Sequence, residues 1–298
     1  MLAFNYQNLI TLFKQTVDGW NRARTFLLGA ALSFYAVISL PSILVIVIAV
    51  AGIFVDKQEV QDQLVGYASD TLGASAAGVI NSVIDSASLS SLSNFSAIVG
   101  IGVLIWVAAT VFSQMQTALN SIWDVEPEEK GGMLLYIFRR LKAIAIVFII
   151  GIMVLLTFAL GAVAAALAEL FQDVPAQLTR LMQAGDSLLT LVLFTLILIF
   201  TYKVLPQTSI RLRDVLPGAV ITAVLYAVGK FLISIYLAKS NLASVYGAAS
   251  SLVLMLLWVY YSSLIFFGGA VFTRAYHDLH EHTQEVQTEA RGIHTRVP

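Results

Sequence analysis

The sequence predicts an all-α, polytopic membrane protein. It should have six transmembrane helices, an N-terminal interfacial helix, and short amphipathic outer helices between spans one and two. Three observations predict this fold. Of the 298 residues, 58% are hydrophobic and only 12% charged, about half the charged fraction of a soluble domain, so one water-soluble core could not hide the apolar surface. Several uncharged runs reach the ~20 residues that a helix needs to cross a bilayer. The basic residues fall on alternate connections, as they do when positive loops stay on one side.

Taken in order, residues 1–24 form a candidate cytoplasmic interfacial helix. Tyr6, Leu9 or Ile10, Phe13, Val17 and Trp20 recur at helical spacing, with Gln7, Lys14, Asp18 and Asn21 between them. Such a helix either lies in the headgroup layer, with Trp20 as an anchor, or packs on the protein's own face. Met1–Trp20 does not read as a signal peptide, because no basic start precedes an apolar core. The membrane domain is expected over residues 25–275. Its first span, about residues 26–55, is uncharged, has Pro41 near its middle and should kink there. Small residues such as Gly29, Ala31 and Ser33 allow close helix approach in lipid.

The segment 56–94 is polar and serine-rich, and too polar to span. Val60, Leu64 and Ala68, then Ile80, Val83 and Ile84, suggest two short amphipathic helices capping the outer side. Spans two to six are expected at about 97–120, 143–168, 187–205, 215–237 and 248–273, with Glu169–Asp186 as a short loop. Residues 276–298 read as a polar cytoplasmic tail, helical briefly and then disordered.

Lys and Arg set the orientation. The N-terminal segment, the second and fourth loops and the C-terminal tail together hold thirteen of them, whereas the other side holds only Lys57, Arg180 and Lys239. Both termini are therefore expected in the cytoplasm.

The last two spans form a hairpin, and Lys230 is out of place in it. Thr222, Tyr226, Lys230 and Ser234 follow one another at intervals of four, giving one polar stripe that drifts slowly round the helix. At 1.5 Å per residue, Lys230 lies ~24 Å from the cytoplasmic end and ~14 Å from the outer end. A charge at that depth usually faces protein or a water-filled cavity. Lys230 then either binds an anionic group, such as a phosphate or carboxylate, or snorkels to the outer interface or pairs with an outer acid. Tyr246, Gly247 and Ser250 lie at the start of span six, where the positive end of a helix dipole favours anions; small residues there could equally serve tight packing. At the cytoplasmic end, Gln114, Gln116, Thr117 and Asn120 lie near the depth of Ser33 and Tyr35. They either join helices by hydrogen bonds or line a vestibule.

Other candidates carry less. Glu126, Glu128 and Glu129 sit on one loop beside Pro127, whereas metal-assisted phosphoryl chemistry needs carboxylates converging from several elements. His277, His280 and His282 fall on the polar tail and are not expected to hold a metal. No Walker loop, GxSxG elbow or HExxH motif is present, and there is no cysteine, which excludes disulfide and thiol chemistry. The basic loops, with ten acids against thirteen bases on that side, offer too weak a field for specific nucleic-acid binding.

Five segments carry a resemblance. They are Gly29-Ala-Ala-Leu-Ser-Phe-Tyr35 running to Pro41, Ala118-Leu-Asn-Ser-Ile-Trp-Asp-Val125, Tyr202-Lys-Val-Leu-Pro206, Arg213-Asp-Val-Leu-Pro-Gly218, and Tyr246-Gly-Ala-Ala-Ser-Ser251 followed by Leu257-Trp-Val-Tyr-Tyr-Ser262. In their order and spacing the chain resembles the YihY/BrkB family of bacterial inner-membrane proteins, formerly mislabelled ribonuclease BN. The resemblance covers nearly the whole membrane region and implies a six-span protein of the bacterial inner membrane.

The expected function is non-enzymatic and needs no cofactor or metal: handling or transport of an anionic or amphipathic envelope substrate, such as a lipid. The expected partners are membrane lipids, that substrate and a second copy in a homo-oligomer. A non-transporting scaffold or envelope-integrity factor is the alternative, and a ribonuclease a more distant one.

Overall fold

The computed structural model describes residues 6–52, 56–72, 94–125, 176–208, 210–239 and 249–294, with short pieces at 77–78, 80–82, 84, 151–152 and 246. Every regular element among them is a helix. We number these α1 (Tyr6–Arg22), α2 (Thr25–Ala51), α3 (Lys57–Leu72), α4 (Asn94–Ile122), α5 (Ala176–Val204), α6 (Leu212–Lys239) and α7 (Ser250–His294). The third expected span apart from residues 151–152, the acidic loop with Glu126, Glu128 and Glu129, Gly247 and the side chain of Ser234 lie outside the described residues.

Among the described residues, four helices contain stretches long and apolar enough to cross a bilayer: Thr25–Ile48, Gly102–Ile122, Leu212–Ile233 and Leu252–Glu281. The apolar part of α5, Leu188–Val204, is shorter. Their outward faces are apolar. On α6, Leu216, Val220, Val224, Val228, Phe231 and Leu232 are all exposed, Phe231 to 67%. A continuous exposed surface of this size suits hydrocarbon as the surrounding medium rather than water.

α7 is the central element. It packs against α6, α2 and α1, and more lightly against α4 and α3; α2 also lies along α4, and α5 along α6. Close approach is achieved through missing side chains. A Cβ on Gly29 of α2 would meet Leu264, and one on Gly268 of α7 would meet the Trp20 ring of α1. The main core joins Leu119, Tyr202, Leu205, Val215, Ala219 and Phe267. A second cluster lies at the other end, where Leu44, Ile48 and Met255 meet Ala68, Ile80 and Ile84. The amphipathic segment between the first two apolar helices thus covers that end of the bundle through the apolar face expected of it.

α1 and α4 both stop in left-handed residues, Arg24 (φ 52°) and Asp124 (φ 48°). At the end of α4, Asp124 N–H donates to Ser121 C=O and Val125 N–H to Asn120 C=O, the paired closure of a Schellman cap. At the end of α1, the Thr25 hydroxyl donates to Trp20 C=O at 2.9 Å and supplies the second bond. The helix α2 continues through Pro41, and Ser39 Oγ donates to Val107 C=O at 3.0 Å, tying α2 to α4.

Two expectations are corrected. The segment placed in a loop up to Asp186 is helical from Ala176, so α5 starts eleven residues before the span expected from residue 187. The polar tail is not briefly helical and then disordered as far as His294: α7 is one helix of 45 residues. Its polar part keeps helical support of its own. Arg274 reaches Asp278 at 3.7 Å and His277 reaches Glu281 at 3.5 Å, both at i,i+4. Phe272, Tyr276 and His280 stack in sequence, with ring centroids 6.5 and 6.2 Å apart. Polarity ends the membrane character of the segment, not its helix.

Candidate functional site

The α6–α7 crossing is built as a ladder. Each step of four along α6 is matched by a step of four back along α7. Asp214 faces His277, Gly218 faces Thr273, and Thr222 faces Gly269. Small and hydroxylated residues alternate between the two sides, so each threonine fills the place of the side chain its glycine partner lacks. Thr222 Oγ1 donates to Gly218 C=O at 2.6 Å, and Thr273 Oγ1 to Gly269 C=O at 2.7 Å. From α5, the Tyr202 hydroxyl donates to Phe266 C=O at 2.6 Å and lies 3.2 Å from Thr222 Oγ1. Every buried hydroxyl in this layer therefore has a partner, as low-dielectric surroundings require.

The ladder ends in charge. Asp214 is only 2% exposed, in the first turn of α6, where unpaired N–H groups favour an anion. His277 Nδ1 lies 2.7 Å from its carboxylate and donates to it. The opposite edge of the imidazole faces Glu281, and Trp123 meets the ring at 5.7 Å and 63°. One turn earlier on α7, the Arg274 guanidinium caps the C-terminus of α4. It donates to Ile122 C=O and, at 2.5 Å, to Asp124 Oδ2. The Arg274 hydrogen bond is the main reason the Asp124 carboxyl titrates below its usual range. Gln15, Asp18, Arg22, Ser121, Asp124, Arg274 and Asp278 then surround a cavity of about 150 Å³ between α1, α4 and α7.

The expected site residues are distributed as follows. Thr222 is buried and hydrogen-bonded within the ladder. Tyr226 packs its ring between Phe194 (4.8 Å) and Trp258 (6.4 Å). Lys230 is half-buried and follows Gly229, whose face is closed by Ile265 and Tyr261. Thr222, Tyr226 and Lys230 therefore share the side of α6 that turns from the exposed apolar face towards the bundle. Tyr246 is exposed and Ser250 buried at the start of α7.

At the other end, Gln116 Nε2 donates to Leu205 C=O at 2.8 Å, and Asn120 Oδ1 accepts from Gln207 N–H at 2.9 Å. These two hold the connector between α5 and α6. Ser33 is buried and donates to Ala30 C=O at 2.8 Å, while Tyr35 and Gln114 are half-buried.

Sequence reasoning missed Asp214, His277, Arg274 and Asp124 as a cluster. His277 was assigned to a loose tail, yet it is half-buried against an aspartate 63 positions away. Folding the hairpin about its connecting loop would have placed the two together, because the same register pairs the glycines with the threonines.

The family model described as Virulence factor BrkB matches residues 16–293. The chain belongs to the Virulence factor BrkB family. Among curated relatives, a "UPF0761 membrane protein" of Kangiella koreensis is 25% identical over 274 residues, covering 88% of this chain and 64% of that protein. One of Alcanivorax borkumensis is 28% identical over 192 residues, covering 63% and 43%. One of Mannheimia succiniciproducens is 25% identical over 253 residues, covering 84% of each. The match thus spans 64% and 43% of the length of the first two relatives. No solved structure matches the chain. Family membership and the four long apolar helices together make this BrkB-family chain a multi-pass bacterial membrane protein.

Proposed function

We propose that this BrkB-family protein handles or transports an anionic or amphipathic envelope substrate, such as a lipid, and that Lys230 contacts its anionic group. The observation that carries the reading is the placement of Lys230. It is half-buried on the inward-turning side of α6, next to Tyr226 and away from the exposed apolar row of Phe231 and Leu232. An ionisable side chain so placed inside an apolar stretch is a functional-site candidate by default. The reading is non-enzymatic and assigns no cofactor.

It also takes six spans, with the third across about residues 143–168 and the fourth completed by α5. The chain would lie in the inner membrane with the α1 end and both termini cytoplasmic, as the thirteen-to-three distribution of Lys and Arg favours. Membrane lipids are the immediate partners, and a homo-oligomer is compatible with the broad apolar face of α6.

The test is lipid binding and flux with purified protein in vesicles, comparing wild type, Lys230→Arg and Lys230→Ala. We expect Lys230→Ala to lower affinity for anionic lipids about tenfold, the size of one charge-assisted contact, with Lys230→Arg near wild type. Equal binding and flux in all three would remove Lys230 from the function.

A further inference from the structure

We propose that the cavity between α1, α4 and α7 binds the headgroup of a zwitterionic phospholipid with a primary ammonium, an ethanolamine-type lipid. The proposal rests on the reading of the chain as a handler of amphipathic molecules, but on residues at the opposite end of α6 from Lys230. Position, charge and size support it.

Position comes from α1. Leu9, Ile10, Phe13 and Val17 form one row along the helix and are exposed, Phe13 to 71%. Phe26 and Leu27, at the start of α2, are exposed as well. A helix with an apolar row outward and Lys14, Asp18 and Arg22 on its other flank rests at the boundary of headgroups and acyl chains. The cavity lies on that polar flank, lined by Gln15, Asp18, Gly19 and Arg22, and so falls at headgroup depth.

Both signs of charge line the cavity, and among the described residues two of the groups form no ion pair. Arg274 is held by Asp124, Ile122 C=O and Asp278. Asp18 and Arg22, one turn apart on α1, form no ion pair among the described residues; Arg22 contributes only its field to Asp124. A phosphate diester suits the guanidinium of Arg22, which offers a planar fork of donors. The three N–H donors of an ammonium suit the carboxylates of Asp18 and Asp278. A choline headgroup lacks those donors, and a glycerol headgroup lacks the cation. The volume, about 150 Å³, is half the lower limit of a drug-sized pocket, ~300 Å³. It admits a headgroup and leaves the acyl chains outside, beside Phe26 and Leu27.

The experiment measures binding of short-chain phosphatidylethanolamine, phosphatidylcholine and phosphatidylglycerol, and of free glycerophosphoethanolamine, to the purified full chain in detergent. The comparison runs in a Lys230→Ala background, which removes the anionic-lipid contact proposed above, with and without Asp18→Asn or Arg22→Gln, and with thermal unfolding as the check on folding. In that background we expect the ethanolamine lipid to bind about tenfold tighter than the other two lipids, and this preference to disappear when Asp18→Asn or Arg22→Gln is added. Equal affinity for the three lipids, or an intact preference in both cavity variants, would overturn the proposal. Free glycerophosphoethanolamine binding as tightly as the lipid would overturn the lipid as the source. Because Lys230 is absent from every arm, failure here is distinct from failure of the functional reading above.

Discussion

The Asp214 carboxylate and the His277 imidazole meet at 2.7 Å across the α6–α7 crossing, with the carboxylate almost wholly removed from solvent. Deleting one side of such a pair leaves a buried group without its partner, which is more damaging than deleting both. We expect Asp214→Ala to destabilise the protein by ~3 kcal/mol and His277→Ala by less, since the first turn of α6 still favours the anion. A double-mutant cycle in detergent should give a coupling energy of about 1–3 kcal/mol. A coupling of zero would mean that the contact is geometric only.

The glycine–threonine ladder makes a stricter demand. A methyl group on Gly218 would strike Thr273 Oγ1, and one on Gly269 would strike Thr222 Oγ1. Gly218→Ala and Gly269→Ala should each cost about 1–3 kcal/mol through overpacking, seen as lower thermal stability. Thr273→Ala should partly rescue Gly218→Ala, because it removes the nearest atom while leaving its Cβ 2.9 Å away. A rescue by Thr222→Ala instead would contradict the register.

Asp124 supplies a pH dependence. Its folded-state pKa is lowered, first by the Arg274 hydrogen bond, relative to the usual 3.8. The sign follows from linkage: its stabilising contribution is present above the unfolded-state value and is lost as pH falls through the lower folded value. We expect the difference in melting temperature between wild type and Asp124→Asn to be constant from pH 7 to about 5 and to narrow in the acid range. Asparagine is the suitable replacement because it tolerates the left-handed backbone at this position. A difference that widened on acidification would reverse the assignment.

The connector between α5 and α6 depends on α4. Gln116→Leu removes the donor to Leu205 C=O, a carbonyl on a fully buried residue, and should cost about 1–3 kcal/mol. Asn120→Ala frees Gln207 N–H at an exposed site and should cost less. Limited proteolysis near Gln207 would distinguish the two. Equal resistance to cleavage in both variants and wild type would show that the connector holds itself.

Much of the fold is legible in the sequence because lipid imposes a coarse requirement: long uncharged runs must be helices. Those runs are present at α2, α4, α6 and α7, and the small-residue pairing that brings them together is visible as Gly29, Gly218 and Gly268-Gly269. The apolar stripe of α3, Val60, Leu64 and Ala68, was legible from its helical spacing. What failed was the inference from polarity to disorder. Beyond Arg274 the sequence loses its apolar run, yet its Arg–Asp, His–Glu and aromatic pairs at intervals of four stabilise a helix without a membrane. The stripe on α6 was legible as a face, and its inward side follows from the exposed row opposite. The Asp214–His277 contact was not legible from local spacing. It arises from a long-range register, and a sequence read in windows contains no such term.

The continuity of α7 has a mechanical meaning. At 45 residues and 1.5 Å each, it is a rod of ~68 Å, more than twice the ~30 Å of hydrocarbon it crosses. Its inner length is gripped by three other helices, while among the described residues the buried core ends at Ala275. A small tilt at the grip becomes a larger sweep at the tip. The chain carries no cysteine, so one introduced near His294 would take a single probe, and that probe would report on the buried crossing from solution.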